Sequence, residues 1–255
     1  MISVVLLGAG NVAHHLFKAL YKANNITVNQ WYSRNNKYIE IFKDQVMITD
    51  DISSLDAADI YILAVSDDAV SEVSQQLNFQ DRLVVHTSGS VGIHDIDKKH
   101  RRGVFYPLQT FSKETEVDFG QVPLCVEAIQ KADLKRLKLL AEAIGSTPHR
   151  VNSEQRAALH LAAVYVNNFT NQIYRIAHEI TESKSADFNI LKPLIKETAR
   201  KLDDLSPYMA QTGPAKRNDK KTIKKHLKLL ESEHHKAIYE LLTKSIQQTH
   251  GRKKL

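Results

Sequence analysis

Apolar and polar residues alternate over the first 151 residues in blocks that predict strands and helices in turn. The apolar run 3–7 has the length of a buried strand, and the apolar positions from Val12 to Leu20 recur at helical spacing. The same patterns predict further strands at 27–33, 45–49, 59–65, 82–86, 103–106, 124–127 and 146–151, and helices at 36–44, 67–77 and 131–144. Such alternation is typical of an α/β domain with a doubly wound parallel sheet.

The pattern changes near Asn152. From Ser153 to Gln248 the apolar residues recur at helical spacing, without strand-like runs. Helices are predicted over 153–183, 187–204, 219–232 and 233–248, with interruptions at 206–209 and 212–214. We therefore predict two domains, a nucleotide-binding α/β domain over 1–151 and an all-helical domain over 152–255.

The turn after the first predicted strand has the sequence Gly8-Ala9-Gly10-Asn11-Val12-Ala13. This is the G-x-G-x-x-A pattern of Rossmann-type dinucleotide sites, and it lies between a strand and a helix, as that site requires. Gly8 permits the tight turn, Gly10 lets the backbone approach a pyrophosphate, and Ala13 lets the helix pack closely on the strand. The alternative is a tight strand–helix turn that binds nothing.

The end of the second predicted strand indicates which dinucleotide is bound. An Asp or Glu at this place would bind the ribose 2′-hydroxyl of NAD, but the chain has Ser33-Arg34-Asn35. Arginine forms charge-assisted hydrogen bonds with phosphate, so these residues favour the 2′-phosphate of NADP over NAD. The alternative is an Arg34 that contacts only solvent.

Other strand ends are expected to lie beside the same ligand, because ligands bind beyond the carboxyl ends of strands in such sheets. They add Ala64, Val65, Ser66 and Thr87 to the predicted cofactor site, which also includes Asn11 and Val12 of the glycine-rich turn. Ser88 follows Thr87 and is predicted to face the nicotinamide or the substrate. Ordinary turn chemistry is the alternative for both hydroxyls.

Polar side chains lie along one side of the first predicted helix of the second half. They include His160, Asn167 and Asn168. We predict that His160 exchanges a proton with a substrate, since an unperturbed imidazole titrates near neutrality, and that Asn168 or Asn167 holds a substrate atom. The alternative is a buried histidine with satisfied core amides.

The net charge of +6 is unevenly distributed. Residues 216–255 contain twelve Lys and Arg against four Asp and Glu, which leaves −2 for the rest of the chain. The lysines between 220 and 228 recur at helical spacing, which is typical of a solvated helix face, followed by a frayed tail. A nucleic-acid site is disfavoured, because no aromatic residues interleave with these lysines and no known nucleic-acid motif is present.

The remaining composition excludes several classes of protein. A single cysteine, Cys125, permits no internal disulfide and is typical of a reducing cytoplasm. No apolar run approaches the length of a membrane span, so a cytoplasmic protein without a membrane partner is expected. Metal-binding motifs and the serine-hydrolase elbow are absent, which predicts no metal site.

Several motifs together resemble a family of Rossmann-like proteins with a C-terminal helical domain of unknown function, described as proposed NADP oxidoreductases. The family is similar to pyrroline-5-carboxylate reductase, to the deazaflavin-dependent NADP reductases and, in its helical domain, to 6-phosphogluconate dehydrogenase. The motifs that carry the resemblance are 7–13, 64–67, 86–89, 106–111, 160–163 with Asn168, and 212–214 with Arg217 and Asp219.

The resemblance implies a helical domain that binds substrate and forms a homodimer, with the substrate in a cleft between the two domains. We therefore expect an NADP-dependent oxidoreductase that transfers a hydride to or from a small carbonyl or imine substrate. His160, Asn168 and Ser88 are the expected catalytic residues. The helix lacks the Lys and Asn one turn apart that hydroxyacid dehydrogenases use, and Val164 follows His160 by one turn instead. A non-catalytic NADP-binding sensor or scaffold is the alternative.

Overall fold

The computed structural model describes residues 1–112 and 115–250. In these residues eight strands form one sheet: β1 Ile2–Leu7, β2 Ile26–Tyr32, β3 Met47–Thr49, β4 Ile60–Leu63, β5 Leu83–His86, β6 Arg101–Pro107, β7 Leu124–Ala128 and β8 Pro148–Arg150. The described helices are α1 Asn11–Lys22, α2 Ala69–Gln76, α3 Lys131–Ala143, α4 Ser153–Ala163, α5 Thr170–Glu182, α6 Lys192–Asp204, α7 Pro207–Ala210, α8 Lys220–Leu229 and α9 Glu233–His250. The Rossmann-type α/β fold with an all-helical C-terminal region is thereby confirmed.

The strand order is β3-β2-β1-β4-β5-β6-β7-β8. The chain leaves β1 in one direction along the sheet and returns to pair β4 on its other side, so the order reverses between β1 and β4. Open α/β sheets bind their ligands at such a reversal, beyond the carboxyl ends of the strands. The glycine-rich turn 8–10 follows β1 at this place.

The sheet is mostly parallel, as predicted, and it departs from a parallel arrangement at one edge. β6 and β7 pair antiparallel, and β8 runs parallel to β7. A parallel return needs a crossover, usually a helix, whereas the described part of the 108–123 connection contains only the 3₁₀ turn Phe119–Gln121. β7 therefore returns beside β6 in the opposite direction.

The hydrophobic core lies on both faces of this sheet. Alternate residues of β1 divide between the two sides, with Val4 and Leu6 in one buried cluster and Val5 and Leu7 in the other. All four side chains are fully buried. A strand that is covered on both faces reads as a continuous apolar run, which is why the sequence pattern identified it.

Two predicted helices and one predicted interruption differ from the structure. The segment 36–44 forms two 3₁₀ turns, Asn36–Tyr38 and Glu40–Phe42, instead of one helix. The long helix predicted over 153–183 contains a π-helical segment, Val164–Phe169, between α4 and α5. The break predicted at 206–209 is the short helix α7. The predicted helices 219–232 and 233–248 correspond to α8 and α9.

The chain divides into two compact units, Met1–Asn167 and Asn168–Leu255. The first unit contains the sheet and also α4, which comes after the domain boundary predicted at residue 151. That boundary stays a prediction, and the tail 251–255 lies outside the described residues. Among the described helices, none has both the length and the hydropathy that crossing a lipid bilayer requires.

Candidate active site

Gly8 makes the turn after β1 possible. Its φ is +118°, a conformation that other residues rarely adopt. A Cβ atom at this position would lie 2.0 Å from the carbonyl oxygen of Ala64, which follows β4. The ends of β1 and β4 therefore approach so closely that no side chain would fit between them. These are the two strands on either side of the reversal in strand order.

Gly10 has a different environment. Its φ of −77° is accessible to any residue, and a Cβ built there meets no atom within 4 Å. The fold therefore does not require a glycine at this position, whereas a ligand that approaches the backbone does. α1 begins at the next residue without a side-chain cap and without an acidic residue in its first turn. Its first N–H groups and the positive end of its dipole are available to an anion.

A cleft of about 870 Å³ opens at this place within the first compact unit. Its lining includes every predicted cofactor residue: Gly8, Gly10, Asn11, Val12, Ser33, Arg34, Asn35, Ala64, Val65, Ser66 and Thr87. Ser88 and His160 also line it. The third predicted catalytic residue, Asn168, is exposed, belongs to the second unit and is not among the described residues of this cleft.

Two loops beside the cleft are hydrogen-bonded to α1. The Asn11 side-chain amide donates to the carbonyl oxygen of Phe111 at 2.8 Å. The Nε2 atom of the buried His14 lies 3.1 Å from the carbonyl oxygen of Tyr38. Both Phe111 and Tyr38 line the cleft. The helix that starts at the glycine-rich turn therefore also positions two of the cleft walls.

One end of the cleft contains the residues expected to select NADP. The buried Ser33 hydroxyl donates to the carbonyl oxygen of Asn35 at 3.0 Å and accepts from its N–H at 3.3 Å, which fixes the turn around Arg34. Arg34 is exposed and forms no ion pair with a carboxylate of the described chain. Its charge lowers the pKa of Tyr32, which burial raises more strongly. Its guanidinium thus remains available for an anionic ligand.

The other end of the cleft contains an imidazole and a phenol in contact. His160, on α4, and Tyr106, on β6, form a hydrogen bond of 3.1 Å between Nδ1 and the phenol oxygen. Their rings meet edge to face, with centroids 6.1 Å apart. A Cβ at Gly89 would lie 2.6 Å from His160 Nδ1 and 2.8 Å from Tyr106 Cζ. Gly89 therefore permits the two rings to pack beneath the turn 87–90.

Ser88 has the contacts of a turn residue. Its hydroxyl oxygen accepts hydrogen bonds from the N–H groups of Ser90 and Val91, both at 3.1 Å. The Ser90 hydroxyl in turn donates to the Asp67 carboxylate. These bonds match the alternative of ordinary turn chemistry, so the catalytic role of Ser88 stays a prediction. Thr87 is buried, with its hydroxyl 3.5 Å from the carbonyl oxygen of Leu63.

A buried ion pair fixes α4 on the sheet. Arg156 is 1% exposed and donates to the Glu127 carboxylate on β7 and to the carbonyl oxygen of Val91. Ser153 reinforces the pair, since its N–H and its hydroxyl donate to the two Glu127 oxygens at 3.0 and 2.9 Å. His160 lies one helical turn after Arg156, on the same side of α4. The ion pair therefore determines where His160 enters the cleft.

Two groups near this end have strongly shifted pKa values. Burial raises the pKa of Tyr106 to about 12, with smaller contributions from Cys125 and Asp67, and Arg156 opposes the shift. Burial lowers the pKa of His86 to about 4, and the charge of Arg156 adds to that effect. His86 Nδ1 accepts a hydrogen bond from the Ser88 N–H at 3.2 Å. Both side chains are therefore neutral at physiological pH.

The sequence reasoning did not identify Tyr106, Arg156 or Glu127 as site residues. Arg156 carried a usable signal, because it precedes His160 by four residues on one helix face. Tyr106 belongs to the motif 106–111, but its contact with His160 is not predicted by that motif. Glu127 carried no signal, because it lies on β7, whose antiparallel pairing with β6 was not predicted.

Two family models match the chain. The NADP oxidoreductase domain described as coenzyme F420-dependent matches residues 3–89, and a domain of unknown function, DUF2520, matches residues 122–246. No match to a curated protein is significant.

Solved structures extend the likeness over the whole chain. A proposed NADP oxidoreductase from Bacteroides fragilis is 38% identical, with 97% of this chain and 98% of that chain covered and a TM-score of 0.85. Two other structures share the fold at low identity. A reductive aminase from Aspergillus terreus, solved with NADPH and ethyl levulinate, is 12% identical over 98% and 95% of the chains, with a TM-score of 0.71. A pyrroline-5-carboxylate reductase from Coxiella burnetii is 16% identical over 100% and 99%, with a TM-score of 0.57.

Proposed function

Because the chain belongs to the family of NADP oxidoreductases that join an NADP oxidoreductase domain to a DUF2520 domain, we propose that it transfers a hydride between NADP and a small carbonyl or imine substrate. The single observation that carries the proposal is that one cleft is lined both by the glycine-rich turn before α1 and by His160. Gly10 leaves the α1 N-terminus open at one place, and His160 offers a proton-transfer group at another.

The chain binds NADP, and the cleft residues fit that molecule. The N–H groups of Gly10, Asn11 and Val12 would hold the pyrophosphate. The space beside Gly10, where a side chain would otherwise begin, is open to this group. Arg34, with Ser33 and Asn35, would hold the 2′-phosphate, since its guanidinium has no carboxylate partner in the described chain.

Proton transfer is assigned to His160. Its Nδ1 is hydrogen-bonded to Tyr106, and among the described residues Nε2 has no hydrogen-bond partner. A bound nicotinamide supplies or accepts the hydride, and the protein supplies orientation and a proton at the substrate heteroatom. Ser88 would orient the ring, and Asn168 is the residue that we propose to hold a substrate atom.

The test follows NADPH absorbance with a panel of ketones, aldehydes and cyclic imines. We expect turnover of at least one compound, and a fall in kcat of about 100-fold in His160→Ala, within the range for loss of a general acid or base. An exposed histidine of the helical unit, His234, provides the matched control His234→Ala, which should leave kcat unchanged. Tight NADPH binding with no turnover across the panel would favour the sensor function instead.

A second experiment tests the cofactor assignment. Arg34→Gln should weaken NADPH binding about 10- to 100-fold, as the loss of one charged phosphate contact predicts, and leave NADH binding unchanged. Lys37→Gln removes a neighbouring exposed cation as a control. Equal losses for both nucleotides in Arg34→Gln would contradict a contact with the 2′-phosphate.

A further inference from the structure

The phenol of Tyr106 has a single described hydrogen-bond partner, His160 Nδ1, at 3.1 Å. Tyr106 lies at the carboxyl end of β6, and both side chains line the cleft. The proton transfer proposed for His160 assigns no role to this phenol.

The direction of the hydrogen bond follows from the chemistry of the two groups. Burial raises the pKa of Tyr106 to about 12, so the phenol keeps its proton at physiological pH. Tyr106 is half-buried, and the one acceptor that the described residues offer its hydroxyl is the Nδ1 atom of His160. With the phenol as the donor, Nδ1 carries the lone pair and the ring proton lies on Nε2.

The packing leaves little freedom for another arrangement of the imidazole. The turn at Gly89 lies against the Nδ1 side of the ring so closely that a Cβ would be 2.6 Å from it. The buried Arg156–Glu127 pair fixes the helix one turn earlier. A rotated ring would also leave the Tyr106 hydroxyl without an acceptor.

We infer that Tyr106 is a positioning residue: its hydroxyl fixes His160 in the tautomer that presents Nε2–H to the substrate, so the site takes a neutral carbonyl or neutral imine and rejects an iminium cation. This inference rests on the proposed function. A hydrogen-bond donor recognises an atom with a free lone pair, which a carbonyl oxygen or a neutral imine nitrogen has and an iminium nitrogen does not.

The reduction of a carbonyl balances with these groups. The substrate carbon gains the hydride from NADPH, which becomes NADP⁺, and the electron pair of the C=O π bond moves to the oxygen. That oxygen takes the Nε2 proton of His160, and Nδ1 takes the phenol proton of Tyr106. His160 thus loses one proton and gains another in the step, and solvent reprotonates the tyrosinate.

The carboxylate of Asp67 favours the opposite class of substrate, a cation. Asp67 lines the same cleft, and its carboxylate accepts from the Ser90 hydroxyl. A free carboxylate would attract an iminium ion, which is the opposite preference. The two possibilities therefore predict opposite selectivity between a neutral and a permanently charged substrate.

The first test needs no substrate. In the full chain labelled with ¹⁵N-histidine, the His160 resonances are assigned by their loss in His160→Ala. We expect a protonated Nε2 and an unprotonated Nδ1 in the wild type, and a change of the Nδ1 resonance in Tyr106→Phe. A protonated Nδ1, or identical spectra in the two proteins, would overturn the inference even if no substrate were ever found.

The second test uses the carbonyl compound that the panel identifies. Tyr106→Phe should lower kcat about 10- to 100-fold and leave KM for NADPH unchanged, because the phenyl ring preserves the packing. Tyr61→Phe is the matched control, since that buried hydroxyl bonds to Asp56 and Ala58. It should lower stability and leave kcat unchanged.

An N-alkylated cyclic iminium of similar size completes the comparison. We expect its kcat/KM to lie at least tenfold below that of the neutral analogue in the wild type. Faster reduction of the iminium would overturn the substrate preference. Turnover of neither compound would refute the proposed function, while the histidine spectra would still decide the tautomer.

Discussion

The two compact units differ in how they bury apolar surface. In the first, 1–167, both faces of the sheet are covered, and side chains as large as Trp31 and Phe105 are fully buried. In the second, the buried hydrophobic residues of the described chain are Ile176 and Ala215. Its exposed apolar residues include Ile173, Ile180, Ile190, Leu194, Leu202, Leu205, Leu229, Leu241 and Leu242.

This difference indicates that the sheet unit completes its own core and the helical unit does not. Leu241 is 68% exposed and Ile190 is 74% exposed, and apolar surfaces of this kind usually bind another protein. A second copy of the chain is the partner that the family resemblance implies, and we propose a homodimer through these helices. The predicted cofactor contacts come from the self-contained unit, and the predicted dimer contacts come from the other.

The largest difference in stability is expected when the arginine of one ion pair in each unit is replaced. Arg156→Met leaves Glu127 without its buried cation and should lower the free energy of unfolding by about 3–5 kcal/mol. Arg200→Met removes the partner of Glu197 on the exposed face of α6, and no measurable change is expected. Urea denaturation of both variants measures the difference. Equal losses of stability in the two variants would contradict the difference in burial between the two units.

A second prediction concerns acid stability of the sheet unit. The pKa of the buried His86 falls from 6.5 to about 4, so the unfolded chain binds more protons between these values. The stabilisation is complete above pH 6.5 and is lost as the pH falls towards 4, a change of about 3 kcal/mol.

His86→Asn tests this, because the Asn carbonyl oxygen can still accept from the Ser88 N–H. Denaturant titrations from pH 7 to 4 should show a shallower loss of stability in the variant. Parallel curves for variant and wild type would contradict the assignment to His86.

The third prediction concerns the helical unit. Leu241→Glu places a charge on the exposed apolar face of α9 and should weaken self-association at least tenfold, about 1.4 kcal/mol. Leu139→Glu, at an exposed leucine of α3 in the sheet unit, is the control and should leave association unchanged. Sedimentation measures both. A monomeric wild type would refute the homodimer.

The sequence predicted the fold where local patterns were decisive. The run 3–7 followed by Gly8-Ala9-Gly10 identifies a strand and its turn, because burial on both faces requires a continuous apolar run and the positive φ of Gly8 requires a glycine. Every predicted cofactor residue lines one cleft, because each lies at a strand end or in the turn and first helical residues after β1, and the sheet brings those places together.

The sequence could not predict what depends on long-range pairing. Tyr106 reaches His160 across 54 residues, and the direction of β7 depends on a connection without a described helical crossover. The segment 36–44 has helical spacing but forms 3₁₀ turns, since tertiary context overrides weak local preference. Asn168 was chosen by its helix face, which the π-helical segment alters.

The central claim is that the turn after β1 binds the pyrophosphate of NADP, and Gly10→Ala tests it most directly. The added methyl meets no protein atom within 4 Å, so stability should fall by at most about 1 kcal/mol, the usual cost of alanine at a helix start. The same methyl extends into the space for the pyrophosphate. By calorimetry, we expect NADPH to bind the folded variant at least tenfold more weakly than the wild type. Equal affinity in the two proteins would contradict the account.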